Sequence, residues 1–83
     1  MPHFTKNIET SEGNLTFYFN PLYIAESIRY HVSVVGRDKN AVMFNMEKTG
    51  KGRWHIINPS DCQEWIIKME PLLSDYIKEH LKD

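Results

Sequence analysis

A single cysteine, Cys62, is all that 83 residues contain. No internal disulfide can form, and the arrangement suits a reducing, cytoplasmic setting. No apolar run approaches the roughly 20 residues that cross a bilayer, and Met1-Pro2-His3-Phe4 lacks the basic-then-apolar order of a secretory signal. On these grounds no membrane partner is expected. Glycine occurs only four times. Gly50-Lys51-Gly52 resembles a phosphate loop in composition, but it joins two candidate strands where such a loop needs a helix N-terminus behind it. A positive excess is lacking too: the net charge is −1, which removes the simplest argument for a dedicated nucleic-acid binder. There is no repeat and no linker, and the length suffices for one hydrophobic core but not two, so residues 1–83 read as one small domain.

What is present is a succession of short alternating segments. Phe4–Thr10 reads as a strand, Ser11-Glu12-Gly13-Asn14 as a turn, and Leu15–Phe19 as a second strand rich in aromatics. Asn20-Pro21 reads as a break, with residues 22–28 either a short helical turn or a connection. Tyr30–Val34 alternates again, Gly36–Asn40 turns the chain into Val42–Met46, and Thr49–Gly52 turns it into Arg53–Ile57. Links this short force antiparallel pairing, since a parallel crossover takes a dozen residues or more.

The two-residue period sorts the side chains into two faces. Leu15, Phe17, Phe19, Tyr30, Val32, Val34, Val42, Phe44, Met46, Trp54 and Ile56 share one face and form the expected core. Thr16, Tyr18, His31, Ser33, Val35, Met43, Asn45, His55 and Ile57 share the other, a mixture suited to water or a partner.

Beyond Asn58 the period lengthens. Trp65, Ile66, Met69, Leu72, Leu73, Tyr76, Ile77 and Leu81 recur every three or four residues, with charged residues between them, which predicts an amphipathic helix laid on the sheet. It starts either at Asn58, with Pro59 behind it, or at Ser60, with Gln63 completing a capping box. A helix from Ser60 to Leu81 would span about 33 Å, against about 23 Å for a seven-residue strand. Pro71 sits in this overrun, where it deletes a backbone hydrogen bond. Either the helix kinks near Glu70-Pro71 and wraps the sheet edge, or it runs straight and Tyr76, Ile77 and Leu81 meet a second subunit. The expected fold is therefore α+β: an antiparallel meander of four to five strands with one face covered by a C-terminal amphipathic helix, kinked near Pro71 in the first alternative.

Candidate chemistry is sparse. Cys62, placed by this reading in the first helical turn with His55 seven residues upstream, is where a nucleophile would be sought, but no third group completes a catalytic set and a small buried residue is the better reading. His31 and His55 share the open face on strands separated by a third, so their backbones stand about 9.6 Å apart. No further ligand completes a metal site. No catalytic residue, metal or cofactor is expected.

Charge is unevenly spread: residues 1–28 carry −2, residues 29–57 carry +4 and the remainder −3. In a meander Arg29, Lys48, Lys51 and Arg53 converge at one end of the sheet, with Arg37 and Lys39 at the other. Tyr18, His31 and His55 lie near the four on the open face as flat surfaces for unpaired bases. The strands-then-helix order, with Lys51-Gly52, Ile56 and Asn58-Pro59 leading to Trp65, resembles the end of the positive-cofactor and Whirly type of single-stranded-DNA-binding domain over residues 30–66. The resemblance implies single-stranded nucleic acid as a ligand. The tryptophan sits later in the helix here, and basic residues are fewer.

The functional expectation is a non-enzymatic interaction module that binds an unidentified protein or a second copy of itself, with single-stranded nucleic acid as the second reading. Its candidate surface is Tyr18, Arg29, His31, Met43, Lys48, Lys51, Arg53 and His55. The face assignment itself is testable: Phe44→Ala is expected to cost about 3–5 kcal/mol in urea unfolding, and a loss below about 1 kcal/mol would remove Phe44 from the core.

Overall fold

The computed structural model describes residues 3–25 and 27–81. Five strands, β1 (Phe4–Thr10), β2 (Gly13–Ile24), β3 (Ser27–Val35), β4 (Ala41–Lys48) and β5 (Trp54–Ile56), form one curled antiparallel sheet in chain order. A single 3₁₀ turn, Pro59–Asp61, leads to two helical segments, α1 (Glu64–Ile67) and α2 (Glu70–Leu81).

Three departures from the sequence reading have physical causes. The first is the break expected at Asn20-Pro21: β2 instead runs on to Ile24, and β3 begins at Ser27. The β1–β2 ladder opens at Phe4↔Phe19. From Asn20 onward β2 therefore has a neighbour only on the β3 side among the described residues, and a strand tolerates proline where one edge is unpaired. Ala25, at φ 54°, makes the turn, and Ser27 Oγ donates to the Ile24 carbonyl across it.

The second concerns the start of the helix. Asn58 adopts the left-handed conformation (φ 56°) and begins only the 3₁₀ turn, a backbone region asparagine enters more readily than most residues. Ser60 lies inside that turn and caps nothing. Gln63, the other half of the expected box, accepts a hydrogen bond from Trp65 Nε1 at 2.6 Å, and α1 starts at Glu64 behind an extended Gln63. The third concerns Cys62, which is extended (φ −104°, ψ 150°) between the 3₁₀ turn and α1 rather than helical.

Pro71 falls at the second residue of α2, after Lys68-Met69 has separated the two helical segments. A proline there gives up a donor that would have had no intrahelical partner.

The core follows the two-residue period except at Leu15 and Val42, which are half-buried at its margin. Phe17, Phe19, Tyr30, Val32, Val34, Phe44, Met46, Trp54 and Ile56 are buried, joined by Ile8 from β1 and by Ile66, Met69, Leu73 and Ile77 from the helical segments. Tyr30 meets Phe4 and Trp54 edge-on, with ring centroids 5.8 and 5.3 Å away.

The helix also meets both edges of the sheet. On the β5 side, Ser74 Oγ accepts from Trp54 N at 2.9 Å and Glu70 Oε1 accepts from Ile56 N at 2.8 Å. On the β1 side, His80 stacks on Phe4 at 4.0 Å between centroids, and Lys6 Nζ lies 4.8 Å from the centre of the Tyr76 ring. Along both strands rising residue number meets falling number on α2, so the helix runs antiparallel to β1 and to β5, where a sixth strand of the meander would lie.

Removing one of these acceptors leaves the buried Trp54 amide unpaired. Ser74→Ala is expected to cost about 1–3 kcal/mol in urea unfolding, while Lys78→Ala on the exposed side of α2 stays within about 0.5 kcal/mol. Equal losses would show that Ser74 is not closing the strand.

Candidate interaction surface

The outward side of the sheet is a lattice whose neighbours are fixed by register. One row runs Thr5–Tyr18–Ser33–Met43 across β1 to β4, and the next runs Asn20–His31–Asn45. Ile57 extends the second row, its amide donating to the Asn45 carbonyl at 2.8 Å. Asn7 opposes Thr16, and Val35 opposes Ala41. Tyr18, Val35 and Met43 are 47, 52 and 63% exposed.

These rows contain no Asp, Glu, Lys or Arg, in a chain that is 25% charged. Charge begins only at the margins. Glu9 marks one end, where its carboxylate accepts from Asn14 Nδ2 at 3.0 Å. At the other end Arg29, Glu47 and His55 form a cross-strand row. A neutral field edged by charge is the distribution found in protein interfaces, whose centres are depleted of charged side chains and enriched in aromatic residues and methionine.

The residues expected at the site divide into two groups. Tyr18 and Met43 share a row, on either side of Ser33. His31 stands in the next row with Nδ1 2.8 Å from Asn45 Oδ1. Arg29 lies 3.7 Å from Glu47 at a partly exposed pair. His55 Nδ1 lies 3.3 Å from Glu70 Oε2, on the same carboxylate that receives the Ile56 amide. Lys48, Lys51 and Arg53 are exposed around the β4–β5 turn. The four cations thus share an end of the sheet but stand beside the neutral rows, and one of them faces an acid.

Two features went unread in the sequence. Leu22, Tyr23 and Ile24 are exposed on the extension of β2; the clue was their strand-like composition, overridden by Pro21. Glu70 and Ser74, spaced i,i+4 on one side of α2, gave no local sign of their partners on β5.

Cys62 lines a shallow pocket of about 190 Å³ with Met43, Asn45, Ile57 and Asp61. Burial, and secondarily the adjacent Asp61 carboxylate, push its thiol above the usual cysteine value, opposite to the shift that activates a nucleophile. Among the described residues no cluster of three or more His, Cys, Asp or Glu is placed to hold a metal ion, and no helix is long and apolar enough to cross a membrane. Comparisons with family models, curated proteins and solved structures find no match.

With its pKa raised, Cys62 holds its proton through neutral pH. Alkylation by iodoacetamide at pH 7 is expected to be slower than that of an unstructured cysteine peptide, and the rate should climb at a higher pH than it does for the peptide. Faster labelling than the peptide at neutral pH would contradict this environment.

Proposed function

We propose that this chain is a non-enzymatic interaction module whose outward sheet face binds a protein, a second copy of itself being the first candidate. The observation that carries the reading is the neutrality of the rows around Tyr18, Ser33, Met43, His31 and Asn45. Lattice positions exposed to water ordinarily carry charge, because charged side chains keep surfaces soluble and guard them against association. A neutral field also suits self-pairing, since a two-fold axis lays the same patch against itself and a patch charged with one sign would repel its copy. The raised thiol pKa of Cys62 supports the non-enzymatic half of the reading, and the single cysteine supports a cytoplasmic setting. The same account takes the helical segment to cover the inner face of the sheet and to change direction between Ile67 and Glu70, a view supported by the shared core and by the separation of α1 from α2 before Pro71.

Single-stranded nucleic acid remains the second reading, favoured by the three cations at the β4–β5 turn. It is the weaker of the two because strand-binding surfaces run cations along the face that holds the bases, whereas here they stand at its end.

Amide NMR separates the readings. On dilution, shifts are expected at Thr5, Tyr18, Ser33 and Met43, and Met43→Lys, a change at an exposed position, is expected to abolish them without altering the fold. Dilution-independent spectra, together with salt-sensitive shifts on adding a short single-stranded oligonucleotide, would replace this reading with the nucleic-acid one.

A further inference from the structure

We propose that Leu22, Tyr23 and Ile24 on the extension of β2, together with the cations of the β4–β5 turn, form a peripheral docking site for an anionic lipid bilayer. Two neighbouring features make it. The first is an apolar finger: β2 and β3 outrun β1, whose ladder opens at Phe4↔Phe19, and the two-stranded extension carries Leu22, Tyr23 and Ile24 at 36, 62 and 44% exposure. The second is a basic tip. Because Arg29 pairs with Glu47 and Lys48 with Trp54, the β4–β5 turn stands beside the finger at the same end of the sheet, and it presents Lys48, Lys51 and Arg53 to solvent. Arg29 faces Glu47 at 3.7 Å, so the other three supply the attraction. Glu26, between Ala25 and Ser27 in the sequence, lies outside the described residues.

The shape and the charge select the occupant. Along the extension Leu22 and Ile24 alternate with Tyr23, so apolar side chains project from both sides of a thin ribbon. A pocket in a protein would have to enclose it from both directions, whereas the boundary between headgroups and acyl chains accepts apolar side chains from every side. Tyrosine, with an apolar ring and a polar tip, suits that boundary. The adjacent cations would lie at the level of the headgroups, where each attracts an anionic leaflet. Nucleic acid would engage the cations but gain nothing from Leu22 and Ile24. Attachment of this kind needs no spanning segment, so the absence of a long apolar run does not oppose it.

Sedimentation with vesicles tests the site, using the full chain. Binding is expected to vesicles of phosphatidylcholine with phosphatidylserine at low salt, to weaken as salt rises, and to be absent from phosphatidylcholine alone. Lys51→Glu/Arg53→Glu and, separately, Leu22→Ser/Ile24→Ser are each expected to lower binding on the order of tenfold or more, with unfolding transitions near that of the wild type. Arg37→Glu, at an exposed cation on the opposite end of the sheet, should leave vesicle binding unchanged, which ties the effect to this tip rather than to net charge. No binding to the anionic vesicles, or binding untouched by either double variant in its folded form, would overturn the proposal. So would displacement from vesicles by a single-stranded oligonucleotide that binds the Leu22→Ser/Ile24→Ser variant as well as it binds the wild type.

Discussion

Two hydrogen bonds from the edge of the sheet to the helix govern what the rest of the molecule can present. β5 is a short outer strand, and its Trp54 and Ile56 amides face away from β4, where an unpaired edge would be open to another strand. Ser74 and Glu70 receive them. The match is one of repeat lengths. Alternate residues of a strand are about 6.7 Å apart, and residues four apart in a helix rise about 6 Å, so an i,i+4 pair of acceptors can serve an i,i+2 pair of donors. The same fit requires α2 to lie along β5 with its apolar stripe, Leu73 and Ile77, turned into the core.

Fixing the helix there also settles the opposite edge. Because the sheet curls, α2 reaches β1 as well, and the contacts differ in kind: an aromatic stack between Phe4 and His80, and Lys6 over the Tyr76 ring. Lys6 shares the inward parity of Phe4 and Ile8. A lysine turned inward on an edge strand discourages pairing with a foreign strand, while its contact with the ring gives the charge a favourable place. With one edge bonded to the helix and the other guarded by charge, the two proposed contacts fall to the neutral outward face and the apolar finger beyond Phe19.

Much of this was legible from local pattern. The strands from Phe4 to Ile57 and the division of their side chains into two faces follow from a two-residue period that needs no knowledge of neighbours, and nearly every residue so assigned to the core is buried. The errors arose where one local signal depended on a distant circumstance. Pro21 breaks a strand that is paired on both sides, but whether it is so paired depends on where β1 begins. Ser60 and Gln63 form a capping box only if Gln63 is free, and the indole of Trp65 takes its side-chain oxygen instead. The acceptors on α2 were unreadable in principle, since nothing near Glu70 or Ser74 in sequence points to residues 14 to 20 positions away. As for the candidate surface, its members were on the open face as read, yet its neutrality emerged only once register placed Thr5, Asn7 and Asn20 beside Tyr18 and His31.

The closure of β5 by the helix is the claim on which the choice of surfaces rests, and native-state amide hydrogen exchange addresses it residue by residue. Protection at Trp54 and Ile56 comparable to that of inner-strand amides such as Val32 is the predicted result, although both amides face outward from an edge strand. Exchange at these two positions as fast as in the Gly50–Lys51 turn would mean that the edge is open, and the account would fail at its first step.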